Sequence, residues 1–220
     1  MFEAKEIIQQ NHYWISLVFL AILIFLTYAK VLGKDRLLHT ASLFIAKKYL
    51  FIYFNKEKND ILNLFQFLLF IIQTLVLALL LFFANSLWQF SDRLNGLNGY
   101  LLLAGVVGLY FCFRYLIGLF LAEIFNIKNR YSKIVYDKVS YFNNLILWIL
   151  PFLILSAYAN IHKELFLKIT FFILVILLIL RYVLVLVNNK KLIVNNLFYF
   201  ILYLCALEIA PLAIILKLTN

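Results

Sequence analysis

Phe171-Phe172-Ile173-Leu174-Val175-Ile176-Leu177-Leu178-Ile179-Leu180 is apolar at every position. A strand of a membrane barrel alternates apolar and polar residues, because one face meets lipid and the other a watery lumen; this run leaves no watery face. A helix satisfies its own backbone hydrogen bonds inside hydrocarbon, so an unbroken apolar run flanked by charge reads as a membrane-crossing helix. Working outward, the run belongs to a segment from Leu165 to Val187, and five more of similar character are expected. They run from Tyr13 to Gly33, Ile61 to Trp88, Gly99 to Ile127, Leu145 to Ile161 and Leu192 to Lys217, each bounded by charge, Asn or Gly. The fold class is all-α, a polytopic transmembrane helical bundle of six spans (13–33, 61–88, 99–127, 145–161, 165–187 and 192–217) in a single integral membrane domain, 1–220. The fourth span is the shortest and carries Pro151, which removes a backbone donor.

Composition excludes the water-soluble alternatives. Of 220 residues 66% are hydrophobic and 14% charged, and the mean hydropathy is +0.98. A soluble domain has nowhere to put that much apolar surface. The formal charge of +10 sits in short clusters between apolar runs, so topology accounts for it and no nucleic-acid partner is expected. Glu3, Lys5 and Glu6 do not make the basic leader of a signal peptide, and no small-residue cleavage site follows the first apolar run, which is expected to stay in the protein.

Lys and Arg set the orientation, because cytoplasmic loops retain positive charge. The first connection holds Lys34, Arg36, Lys47, Lys48, Lys56 and Lys58, the third Lys128, Arg130, Lys133 and Lys138, and the fifth Lys190 and Lys191. The opposite side has Lys5, Arg93, Lys163, Lys168 and Lys217 spread over four segments. The first, third and fifth connections are thereby cytoplasmic and both termini outside, in three hairpins. Between Asp35 and Phe54, Leu37, Leu38, Ala41, Phe44, Ile45, Tyr49 and Ile52 recur near a helical period, the pattern of an interfacial amphipathic helix or of flanking spans continued into the headgroups. Tyr131, Tyr136, Tyr141 and Phe142 repeat it around Lys133 and Lys138, and both stretches suit an anionic inner leaflet. Thr27-Tyr28, Arg114-Tyr115 and Arg181-Tyr182 recur at similar depths in the first, third and fifth spans, a faint echo of parallel repeats.

Charges inside spans are expensive, roughly 2.5–3.5 kcal/mol near the bilayer centre, so the few present are the candidate functional residues. Arg114 lies near the middle of the third span and Glu208 in the outer half of the sixth. An axial offset of about 10 Å can be closed by side-chain length and tilt, and the two are expected to pair. Locking helices together is the plainer reading of such a pair; a gate, proton relay or anion site is the functional one. Arg181, within about two turns of the cytoplasmic end of its span, has the length to snorkel there. Pro211 leaves the Leu207 carbonyl without its helical donor beside Glu208. Tyr110, one turn before Arg114, is within reach to hydrogen-bond it. Ala104 and Gly108 form a small-xxx-small step, with Gly105 and Gly118 as further small surfaces for close helix packing.

Catalytic signatures are missing: the chain has no phosphate loop, paired histidine motif, nucleophile elbow or spaced carboxylate pair. His12, His39 and His162 are isolated near interfaces, and Cys112 and Cys205 lack disulfide or zinc spacing. No cofactor, metal or enzymatic activity is expected.

Tyr203-Leu204-Cys205-Ala206-Leu207-Glu208-Ile209-Ala210-Pro211-Leu212, with Arg114-Tyr115 in the third span, resembles a family of Bacteroidetes inner-membrane proteins of unknown function, the DUF4271 family. The resemblance runs over most of the chain and implies a multi-pass protein of a diderm bacterial inner membrane, without implying an activity. By analogy, such proteins serve as accessory parts of envelope machinery such as protein export or gliding systems. Two readings follow: a non-enzymatic subunit packed against other integral membrane proteins, or a small transporter or lipid flippase with Arg114 on an anionic head group and Glu208 as a proton site.

Overall fold

A computed structural model describes residues 13–33, 36–44, 64–89, 91, 94, 96–124, 128–159 and 163–194. All six elements among them are helices: α1 (Tyr13–Gly33), α2 (Arg36–Ala41), α3 (Leu64–Trp88), α4 (Gly96–Ile124), α5 (Lys128–Tyr158) and α6 (Lys163–Val194). Five, all but α2, are long and apolar enough to cross a membrane. The chain is a multi-pass integral membrane protein.

Packing follows from the spacing of the inward residues. On α3 they are Phe65, Leu69, Ile72, Val76, Leu79 and Phe83, on α1 Ile15, Phe19, Ile22, Ala29 and Gly33, and on α5 Phe142, Ile146, Ile149 and Leu153. Steps of three and four residues put each set on one stripe, the pattern of helices packed at a shallow angle. α3 is central, touching α1, α4, α5 and α6, while α5 and α6 share the most extensive helix pairing.

Ring contacts define the two ends. At one, Trp14 packs on Phe82 at 4.9 Å and Tyr100 at 5.4 Å, Tyr158 donates to Ser16 Oγ at 2.9 Å, and Trp88 meets Phe171 at 5.2 Å. This is an aromatic layer of the kind that sits at a headgroup boundary. There the chain leaves α3 through Asn85, whose amide donates to Ser91 O and accepts from Ser91 N, both at 3.0 Å. At the opposite end Gly33 abuts the Phe65 ring, and Gly118 abuts Tyr131. α1, α4 and α6 run toward this second end; α3 and α5 run away from it.

The second end is basic, carrying Lys30, Arg36, Lys133, Lys138 and Arg181 on the described helices. The aromatic end carries Lys163 and Lys168, the latter paired with Glu164 at 2.7 Å. Among the described residues the helices are unequal in length at the basic end. Phe70 and Phe142 both pack on Phe111, at 6.2 and 6.0 Å. Phe70 is six residues into α3 and Phe142 fourteen into α5, so α5 reaches eight residues further, about 12 Å at 1.5 Å per residue.

Several sequence expectations are corrected. The third connection and the fourth span are one helix: α5 has 31 residues and passes through Pro151 unbroken. Expected to be the shortest span, it has the largest buried share of the five. Hydropathy could not show this, because Asp137, Ser140, Asn143 and Asn144 are buried against protein. The fifth segment continues as helix through Lys190 and Lys191 to Val194, so it includes the expected start of the sixth at Leu192; the rest of that sixth span, with Glu208 and Pro211, lies outside the described residues. Of the amphipathic stretch from Asp35 to Phe54, α2 is helix and 42–44 a turn, and the remainder likewise lies outside. The small surfaces on α4 also divide. A methyl group on Gly118 would overlap the Tyr131 hydroxyl, so this glycine permits a close approach. At Gly105 and Gly108 a Cβ would meet nothing within 4 Å; no described helix packs there. Ala104 packs at the edge of the core.

Gly118→Val is expected to destabilise the chain by about 1–3 kcal/mol through overpacking, whereas Gly105→Ala and Gly108→Ala leave stability unchanged or slightly raised. Thermal unfolding of the three variants in detergent checks the contrast.

Candidate functional site

The basic end of α5 gathers the polar side chains. Asp137, Ser140, Asn144 and Trp148 recur at steps of three and four, so they share one face. Asp137, Ser140 and Asn144 are buried. This face lies under α2. The short helix ends with carbonyls that have no helical donor, and these would be costly to leave bare beside hydrocarbon. Asn144 Nδ2 donates to Thr40 O at 2.7 Å and to Ala41 O at 3.2 Å, and Trp148 Nε1 donates to Ala41 O at 3.0 Å. Thr40 turns its own hydroxyl back to Arg36 O at 2.8 Å. With both amide hydrogens spent on carbonyls, the orientation of the Asn144 amide is fixed, and its Oδ1 points into the interior without a hydrogen-bond partner.

α6 is stitched to the same stretch of α5. The Arg181 guanidinium lies 4.5 Å above the Phe142 ring, 5.6 Å from the Tyr182 ring, and donates to Lys138 O at 3.2 Å. Arg181 therefore turns onto α5 and stacks, where its length had suggested snorkelling. Two turns further along α6, Asn188 donates its amide to the Tyr141 hydroxyl. Tyr141 is fully buried between Leu43 and Val185, with Phe44 stacked on it at 6.4 Å.

Arg114 stands apart from this joint, on α4. The inward stripe of that helix reads Tyr100, Ala104, Val107, Phe111, Arg114, Gly118 and Ala122 at steps of three and four. Arg114 thus occupies a core-facing position and is half-buried. Phe111 fixes its level. From the ring contacts with Phe70 and Phe142, Arg114 is one turn nearer the basic end than these phenylalanines and so lies close to the start of α3. Tyr110 is exposed and packs its ring on Phe111 at 5.7 Å. Glu208 and Pro211 are outside the described residues, so the expected pair is not seen together.

Sequence reasoning passed over Asp137, Asn143 and Asn144, and the buried Gln73 of α3. Two adjacent asparagines between Phe142 and Leu145, in step with Asp137 and Trp148, were the available signal. Read by hydropathy they belonged to a loop. Chemically the cluster is a joint: the Asn144 amide, the Trp148 indole and the Arg181 guanidinium donate to backbone carbonyls of neighbouring helices. Among the described residues no group of three His, Cys, Asp or Glu could hold a metal ion.

A family model described as Domain of unknown function (DUF4271) matches residues 15–219. No curated protein and no solved structure matches the chain.

Asn144→Leu removes both amide donors, leaving Thr40 O only the long 3.4 Å bond from Leu43 N and Ala41 O only the Trp148 indole, and is expected to cost about 1–3 kcal/mol in all. Trp148→Phe leaves Ala41 O its second donor and is expected to cost less. Midpoints of thermal unfolding in detergent give the order, and equal losses would contradict the capping role of Asn144.

Proposed function

The chain belongs to this family of unknown function, and from that premise we propose that it is a non-enzymatic subunit or accessory factor of a larger membrane complex in a bacterial inner membrane. Its basic end faces the cytoplasm, against an anionic leaflet. The charge asymmetry supports this orientation: on the described helices the aromatic end has Lys163 and Lys168, the second neutralised by Glu164, and the retained positive charge is at the other end. Cell-envelope machinery, protein export and gliding systems included, is the class of complex the reading favours.

The observation that carries the proposal is the surface of α4. This helix of 29 residues buries only Gly99, Tyr100, Val107, Gly118 and Ala122. Its exposed side includes Gly105 and Gly108, where a Cβ has open space. Lipid tails do not require glycine. A second transmembrane helix does, because small residues let two backbones approach closely enough for dispersion and Cα–H contacts to hold them. Next to Gly108, one turn on, Cys112 continues the shallow strip, flanked by the exposed Leu101, Leu109 and Leu116. The strip suits a helix of another integral membrane protein.

The position of Arg114 on the inward stripe of α4 favours a second reading, a small transporter or flippase in which Arg114 receives an anionic head group and Glu208 takes up a proton. Under it, Arg114→Gln with Glu208→Gln abolishes transport while the fold persists.

The test of the first reading is mild solubilisation of tagged chain, with size measurement and mass spectrometry of what accompanies it. The expected result is co-purification with defined membrane proteins, lost on Gly108→Ile without loss of folding. A lone monomer of 26.0 kDa in gentle detergent would overturn it.

A further inference from the structure

Near the aromatic end, α5 and α6 leave a space between them. A cavity of about 290 Å³ is lined by Ile154, Leu155, Tyr158 and Ala159 at the end of α5 and by Phe166 in the first turn of α6. Ile154 with Tyr158, and Leu155 with Ala159, are four residues apart and stack along one side of α5. Ala159 N donates to Leu155 O at 3.0 Å, so this wall stays helical to its end. The Tyr158 hydroxyl donates to Ser16 Oγ, which holds the ring in place. Leu155, Tyr158 and Phe166 remain exposed, and the space opens sideways toward lipid.

The slot runs along the helices. From Ile154 to Ala159 the wall rises about 7 Å at 1.5 Å per residue. Its upper part is close to the membrane boundary, because Tyr158 meets α1 at Ser16, within the first turn of that helix. The Thr170 hydroxyl of α6 donates to Phe152 O of α5 at 3.4 Å, which sets the register of the antiparallel pair. Counting equal steps from that bond, Lys163 is level with Ala159 at the mouth of the slot. Three residues before Phe166, Lys163 also shares its face of α6. Lys168 is on another face, paired with Glu164 at 2.7 Å. An ammonium thus stands over an apolar slot.

Size and chemistry select the occupant. A helix is about 10–12 Å across with its side chains, too wide for this space, and an apolar wall gives water too few partners. An unbranched acyl chain fits between the helices and restores the dispersion contacts that a void would forfeit. A phosphate at the membrane boundary is the charge complement of Lys163. A glycerophospholipid carries both groups in that order of depth. We infer that the slot binds one phospholipid of the leaflet at the aromatic end, with an acyl chain between Ile154 and Phe166 and the phosphate on Lys163. The site stands apart from the subunit reading, since a lone chain would have it too.

The test is titration of the delipidated full chain, in mild detergent, with phosphatidylglycerol, read by native mass spectrometry. Binding is expected to saturate at one lipid per chain. Ala159→Phe, which fills the slot, is expected to abolish that adduct, while Leu102→Phe, on the exposed side of α4, leaves it unchanged. Lys163→Gln is expected to weaken binding about fivefold, the effect of one cation on a headgroup, and Lys163→Arg to restore it. Lys163 is at the surface of the bundle, so its two variants decide the matter even if Ala159→Phe fails to fold. Unsaturable adducts, alike in all the proteins, would mean ordinary annular lipid and overturn the inference. So would full binding by folded Ala159→Phe or by Lys163→Gln.

Discussion

Hydrocarbon leaves no polar group to water, and the architecture follows from that constraint. Within the long helices the backbone answers it internally. The difficulty arises where a helix stops at the membrane boundary, as α2 does at Ala41. There the carbonyls of Thr40 and Ala41 are satisfied by side chains of another element, Asn144 and Trp148 of α5. The same stretch of α5 receives Arg181 and Asn188 from α6. A buried polar stripe on one helix thus fixes the position of two others. The apolar stripes, which any membrane helix can mimic, do not specify so narrowly which neighbours meet.

This division of labour explains the unequal helices. The described residues of α1 and α3 reach the level of Gly33 and Phe65. α4, α5 and α6 continue, and the part of α5 beyond that level carries Lys133, Lys138 and buried Asp137. Asp137, Ser140 and Asn144 there are buried against protein, where hydrogen bonds to carbonyls offset the cost of burying polar groups. α4 is apolar nearly all round and little buried, as α6 is.

The apolar runs made α1, α3, α4 and α6 legible, because no other structure places such runs in hydrocarbon, and their bounds agree with the sequence reading to within a few residues apart from the longer end of α6. α5 was not legible in full. Residues 128–144 mix Lys, Asn and Asp with aromatics, and hydropathy cannot tell a polar residue in solvent from one buried against a carbonyl. Pro151 pointed the wrong way for a related reason: a single lost backbone bond is outweighed by the packing of Ile149, Leu150 and Leu153. Small-xxx-small spacing singled out Ala104 and Gly108, with Gly105 and Gly118 as further small surfaces, and of the three glycines the one with a described helix against it is Gly118. Spacing records that a surface is small, and only the opposing side chain, here Tyr131, shows that it is used.

The account rests most heavily on the bundle crossing the membrane with its basic end inward. Single cysteines placed at Lys133 and at Lys168, in a chain with Cys112 and Cys205 changed to Ser, test this with a membrane-impermeant maleimide. The account predicts labelling at position 168 in intact spheroplasts and at position 133 only in inside-out vesicles; the reverse pattern would contradict it.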